Sequence, residues 1–156
     1  MLEKNQKAPE FSSTDQNNKT ITLTSLNDKQ NVILYFYPND DTPGCTIQAN
    51  QFSALVTEFA ATDTAIIGVS KDSCESHTAF IKKFDLTFDL LADTSGEICN
   101  LYGVWQKKEK NGVKKMGIVR STFLIDKKGI LQDVSYGVSP EGHAAEMLEK
   151  VKLLRT

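Results

Sequence analysis

Apolar positions in this chain fall into short continuous runs, stripes of helical period and brief alternations. Val32-Ile33-Leu34-Tyr35-Phe36 is apolar throughout and too short for a helix, which predicts a central strand covered on both faces. Ala65-Ile66-Ile67-Gly68-Val69 reads the same way. Between them Phe52, Leu55, Val56 and Phe59 recur at i, i+3, i+4 and i+7, the pattern of one buried helical face. His77, Phe80, Ile81 and Phe84 form a second such stripe, and Asp72 with Glu75 three residues on reads as its N-cap and capping box. Phe11 to Leu23 alternates around Asn17-Asn18-Lys19, predicting a small hairpin. A short strand near Phe88–Leu91 and a helix near Glu97–Tyr102 follow. Thr122–Asp126 and Ile130–Tyr136 flank the turn Lys127-Lys128-Gly129, a second hairpin. Ser139-Pro140 opens a last helix that buries Ala144, Leu148 and Val151, since Pro is tolerated at the first helical position.

The order is hairpin, β, α, β, α, hairpin, α. Alternating β and α implies parallel strands joined by right-handed crossovers, and the late hairpin adds antiparallel ones. The fold class is therefore α/β, a mixed central sheet with helices on both faces. Functional loops gather at the C-terminal ends of strands in such sheets. No repeat, low-complexity tract or linker divides residues 1–156, so one domain is expected. At 40% apolar and 24% charged residues, the composition excludes a disordered chain.

A formal charge of −2 supplies no broad basic field, so nucleic acid and anionic lipid are not expected partners. Lys107, Lys108, Lys110, Lys114 and Lys115 cluster, but Glu109 and Gly112 interrupt them, which reads as a solvated surface loop. Met1–Gln6 lacks the apolar core of a signal peptide, and no run has the length of a membrane span. Three cysteines, odd in number and widely spaced, do not form a secreted disulfide framework. The expected setting is a reducing cytoplasm.

The chemistry concentrates in Tyr35–Thr46. The apolar run ends near Pro38, a polar loop follows, and Cys45 arrives directly after Pro43-Gly44 at the start of an amphipathic stretch. That places the thiol in the first turn of a helix, where unpaired N–H groups and the macrodipole favour an anion. The thiolate is the reactive form of cysteine. Each residue also has a plainer reading. A lone cysteine is usually a small buried hydrophobe, Thr42 can cap a helix, Pro38 can end a strand, and Arg120 can lie on the surface.

Pro38-x3-Thr42-x2-Cys45, with Gly44 before the cysteine and Arg120-Ser121-Thr122-Phe123-Leu124-Ile125-Asp126 downstream, resembles the peroxiredoxins. Pro43-Gly44-Cys45-Thr46 and Tyr102-Gly103-Val104-Trp105 resemble the bacterioferritin comigratory protein subfamily, also called PrxQ, and the likeness runs from about Lys7 to the C-terminus. The resemblance implies a thioredoxin-like fold, a monomer, no cofactor or metal, and reduction of hydrogen peroxide and organic hydroperoxides by Cys45. In that reading Thr42 holds the peroxide through its hydroxyl, Arg120 fixes thiolate and peroxide, Pro38 shields the sulfur, and Gln48 orients Arg120.

Many members of the subfamily carry a resolving cysteine five positions after the peroxidatic one; here Asn50 stands there. Two routes of recycling stay open. Cys74 or Cys99 attacks the sulfenic acid, or an external thiol (thioredoxin, glutaredoxin or glutathione) reduces Cys45 directly. The one-cysteine route is preferred because neither cysteine holds the familiar position, with Cys74 the next candidate.

Three other functions compete. A thiol–disulfide oxidoreductase calls for Cys-x-x-Cys, where this chain has Cys45-Thr46-Ile47-Gln48. A non-enzymatic redox sensor or partner-binding module would stall after one equivalent of peroxide. A metal site on Cys74-x2-His77 with Cys99 or His143 lacks a second close ligand pair, and His77 reads better as a satisfied core histidine.

Overall fold

A computed structural model describes residues 1–27 and 30–154. In chain order the elements are β1 (Ser12–Asp15), β2 (Thr20–Thr22), α1 (Leu23–Leu26), β3 (Asn31–Phe36), α2 (Pro43–Ala54), α3 (Val56–Ala60), β4 (Thr64–Ser70) and α4 (Cys74–Phe84). They continue with β5 (Asp89–Ala92), α5 (Glu97–Leu101), β6 (Trp105–Lys110), β7 (Val113–Ile118), β8 (Ser121–Ile125), β9 (Leu131–Tyr136) and α6 (His143–Lys152). Seven strands form one sheet in the order β2-β1-β5-β4-β3-β8-β9. β3, β4 and β5 run parallel, and β1, β8 and β9 pair antiparallel with their neighbours.

Every residue of β3 is buried because both faces of the sheet are covered. Strand side chains alternate, so Val32, Leu34 and Phe36 enter one apolar cluster with Ile98, Cys99, Tyr102 and Phe123. Ile33, Tyr35 and Tyr37 enter the other, with Cys45, Phe52, Phe59, Phe80 and Met147. Helices α2, α3, α4 and α6 contribute to that second cluster, and α5 to the first.

Four sequence expectations need correction. The stripe Phe52–Phe59 is not one helix but two, broken at Leu55. Thr87 Oγ1 donates to the Ser53 carbonyl at 3.2 Å, which competes with continuation of the helical ladder. The N-cap of α4 is Ser73, whose Oγ accepts from the Ser76 N–H. Asp72 is unavailable for that role because its carboxylate accepts from the Asp40 N–H and from Ser70 Oγ. The last helix begins at His143 instead of Ser139, because Gly142 takes a left-handed φ of 82° and gives its N–H to Gln51. Finally, the lysine cluster is the hairpin β6–β7 and not a loop. Asn111 and Gly112 both take positive φ at its tip, the geometry that an Asn-Gly turn supplies to a hairpin.

Candidate active site

β3 delivers the chain to Pro38, which is half-buried at the exit from the sheet. Asp41 turns with φ 56°, Thr42 returns to extended backbone as N-cap, and α2 starts with Pro43 at its first position. Gly44 and Cys45 complete the opening turn, and the Thr46 N–H reaches the Thr42 carbonyl at 2.8 Å. The Thr42 side chain makes no capping bond; its Oγ1 donates to the Asn39 carbonyl at 3.0 Å. The first N–H groups of a helix have no acceptor within it. With the side-chain cap missing, the N–H groups of the turn that carries Cys45 find no acceptor in the Thr42 side chain.

Cys45 is 2% exposed and packs against the aromatic cluster beneath. Arg120 arrives from the residue before β8, which pairs with β3 through Phe36 and Ser121. Its Nη2 donates to Cys45 Sγ at 3.4 Å, and its Nη1 donates to Gln48 Oε1 at 2.7 Å. Gln48 is fully buried and one turn beyond Cys45, so its side chain shares the helix face that carries the thiol. The guanidinium is thereby fixed at two points, and helix N-terminus and guanidinium both place positive charge beside the sulfur. Gly44 makes this approach possible. A Cβ there would lie 3.2 Å from Arg120 Nη2 and 3.4 Å from Pro140 Cγ.

Below the sulfur the hydroxyls of Tyr35 and Tyr37 stay protonated. Burial pushes both well up, and the negative charge of nearby Cys45 and Asp40 adds to it for Tyr35. His143 at the start of α6 meets Thr122 Oγ1 at 2.8 Å, and burial lowers its imidazole below the usual range.

The structure brings Cys45, Gln48 and Arg120 into contact with Gly44 beside the guanidinium, turns the Thr42 hydroxyl to Asn39, and leaves the other two cysteines apart. Cys74 is the first residue of α4, and its Sγ lies 3.4 Å from Thr14 Oγ1 in β1. β1 is three places from β3 in the sheet, which is about 14 Å at the usual strand spacing. Cys99 is fully buried in the opposite apolar cluster, with the sheet between it and Cys45. Burial drives the Cys99 thiol far up, and the Asp93 carboxylate beside it drives it further. The residues weighed as metal ligands are dispersed too. His77 is engaged by Asp40 and the Leu91 carbonyl, and among the described residues no three such side chains converge.

Sequence reasoning passed over Asp40, which is buried against His77, Ser76 and Tyr37. Its signal in the chain is a polar Asn-Asp-Asp run that any loop might contain, and its partners on α4 are more than thirty positions away. It also passed over the pairing of His143 with Thr122.

A mixed sheet of this order, with a thiol at the mouth of the helix after its central strand and an arginine fixed on the sulfur, defines a reactive-thiol protein on a thioredoxin-like frame. The AhpC/TSA family model matches residues 5–134, and the chain belongs to that family. A putative peroxiredoxin bcp of Helicobacter pylori is 41% identical over 150 residues, covering 96% of this chain and 98% of the relative. Peroxiredoxin Bcp of Bacillus subtilis is 42% identical over 151 residues, covering 97% and 96%. Among solved structures, the bacterioferritin comigratory protein of Xanthomonas campestris, studied for alkyl peroxide reduction, superposes with a TM-score of 0.87 at 33% identity, covering 92% of this chain and 90% of its own. Within its family the chain falls with the Bcp/PrxQ peroxiredoxins. Among the described residues no helix is long and apolar enough to cross a membrane.

Proposed function

We infer that this protein is a thiol-dependent peroxidase whose nucleophile is Cys45. One observation carries the residue assignment: the Arg120 guanidinium, held by Gln48, touches the sulfur at the open N-terminus of α2. The thiolate attacks one oxygen of a hydroperoxide, the O–O bond breaks, and the leaving alkoxide or hydroxide takes a proton to depart as alcohol or water. Sulfur is oxidised to sulfenic acid and the peroxide is reduced. Negative charge spreads over sulfur and both oxygens in the transition state. Arg120 and the free N–H groups of the first turn are the donors that meet it, joined by the Thr42 hydroxyl when its proton turns from the Asn39 carbonyl to the peroxide. Likeness to the Xanthomonas protein supports alkyl hydroperoxides as substrates beside hydrogen peroxide.

Recycling proceeds by external thiols. Two thiols reduce the sulfenic acid to Cys45 and water and become a disulfide; thioredoxin, glutaredoxin or glutathione supplies them. A disulfide needs Cα atoms within about 7 Å. The contact of Cys74 with Thr14 on β1, three strands from β3, and the opposite-face burial of Cys99 favour this one-cysteine route. The protein acts as a cytoplasmic monomer.

Non-reducing mass spectrometry after one equivalent of hydrogen peroxide tests both parts. The expected product carries a sulfenic acid on Cys45 or its adduct with a trapping reagent, with no linked peptides. A Cys45–Cys74 peptide would overturn the external-thiol route. A Cys45→Ser variant that consumes peroxide at the parent's speed would overturn the peroxidase assignment.

A further inference from the structure

Thr42 and the first turn of α2 can meet a peroxide only if the loop 38–42 holds them against Arg120, and one buried side chain ties that loop down. The Asp40 side chain is 4% exposed. Its Oδ1 accepts from Tyr37 Oη at 2.6 Å, and its Oδ2 accepts from Ser76 Oγ at 2.7 Å. The same Oδ2 lies 2.7 Å from Nδ1 of fully buried His77. The Asp40 backbone N–H adds a bond to Asp72 Oδ2 at 2.9 Å. These contacts gather the end of β3, the turn after β4 and the first turn of α4 onto one residue of the loop.

His77 is itself fixed. Its Nε2 lies 2.9 Å from the Leu91 carbonyl, an acceptor only, so that nitrogen carries a proton. Nδ1 then meets the carboxyl across one further proton, and on either atom that proton closes the contact. The neighbouring Asp41–Lys83 ion pair is half-exposed on both sides and contributes little by comparison. From Asp40 the chain makes its left-handed turn at Asp41 and enters the helix at Thr42. Movement of the anchor is therefore carried directly to the peroxide donors.

We propose that Asp40, with His77 behind it, is the positioning residue of the peroxide-binding loop; this rests on the peroxidase reading above. It touches neither sulfur nor substrate and acts through Thr42 and the N–H groups of α2. A misplacement of about 1 Å in such donors costs about 100-fold in rate. Alkylation of Cys45 by iodoacetamide needs the thiolate, which Arg120 still touches, but no donor to an O–O bond.

The test compares second-order rates with hydrogen peroxide and with iodoacetamide. Asp40→Ala is expected to slow peroxide reduction about 10- to 100-fold while alkylation stays within about threefold. Asp40→Asn can accept from Tyr37 with its oxygen and donate to neutral His77 Nδ1 with its amide, so it is expected to recover the parent rate to within about threefold. Ser76→Ala removes one donor from a half-buried helical site that favours Ala, and keeps the test alive if Asp40→Ala does not fold. It is expected to slow peroxide reduction about two- to fivefold with alkylation unchanged. Three results would overturn the inference: parent rates in both Asp40→Ala and Ser76→Ala, equal losses of peroxide reduction and alkylation, or an Asn variant as slow as the Ala variant. A parent that consumes no peroxide removes the underlying reading, and this inference with it. A Cys45-dependent parent matched by its Asp40→Ala and Ser76→Ala variants removes this inference alone.

Discussion

Adding one methyl group at Gly44 separates the fold of the active site from its chemistry, because the rate should fall while the melting temperature hardly moves. Gly44 does not use a left-handed backbone, so an alanine fits its conformation. A compatible Gly→Ala change in a helix raises stability by about 0.4–1 kcal/mol, which the strained contact with Arg120 offsets, so Tm is expected to stay within about 2 °C of the parent's. The new Cβ, however, would sit 3.2 Å from Arg120 Nη2, and Pro140 Cγ at 3.4 Å closes the other side. The guanidinium must retreat by a few tenths of an ångström. It has little freedom to do so, since Nη1 is held by Gln48 at 2.7 Å while Nη2 reaches the sulfur at 3.4 Å. Charge-assisted hydrogen bonds contribute about 1.5–3 kcal/mol, so weakening one by half costs about 1 kcal/mol. That converts to about a fivefold fall in the rate of peroxide attack. Stopped-flow kinetics with hydrogen peroxide and a thermal melt followed by circular dichroism measure the two quantities on one preparation. A folded Gly44→Ala variant with the parent's Tm and the parent's peroxide rate would refute the argument that the Arg120–sulfur contact governs the reaction.

Two further outcomes follow from the same geometry. Thr42→Val removes the hydroxyl that donates to the Asn39 carbonyl and, once turned from it, serves the peroxide in the proposed mechanism. Loss of one transition-state donor is expected to lower the peroxidase rate about 100- to 1,000-fold, with iodoacetamide alkylation of Cys45 preserved; an unchanged peroxidase rate counts against the role of Thr42. Burial lowers the His143 pKa below its ordinary 6.5. Unfolding then takes up a proton below about pH 6.5, so stability declines as pH falls through that value. His143→Gln, which can keep a bond to Thr122, is expected to flatten the dependence of the urea midpoint on pH between about 5 and 7. Parallel parent and variant curves would contradict this.

Much of the scaffold is written in stretches of a few residues, because strand alternation, helical period, turns and caps are local interactions. The apolar run Val32–Phe36 announces a strand covered on both sides, and Gly129 takes the positive φ its hairpin turn needs. Thr42-Pro43 before Cys45 marks a helix start, so the thiol's place at an N-terminus is legible from neighbours alone. Local signals also mislead where a distant partner outbids them. Asp72 resembles an N-cap until Asp40 claims its carboxylate, and Thr87 takes the Ser53 carbonyl that an unbroken helix would use.

What the chain by itself determined is thus the sequence of elements and the placing of one thiol at the mouth of a helix. Only the tertiary structure decided what meets that thiol. Arg120 lies 75 positions from Cys45 and reaches it because β8 pairs with β3; His77 reaches Asp40 because α4 follows a neighbouring strand. The same sheet puts Cys99 on the far side, and Cys74 meets Thr14 on β1. Strand order and the face on which each side chain emerges arise from packing of the whole chain, and short-range pattern carries no record of either.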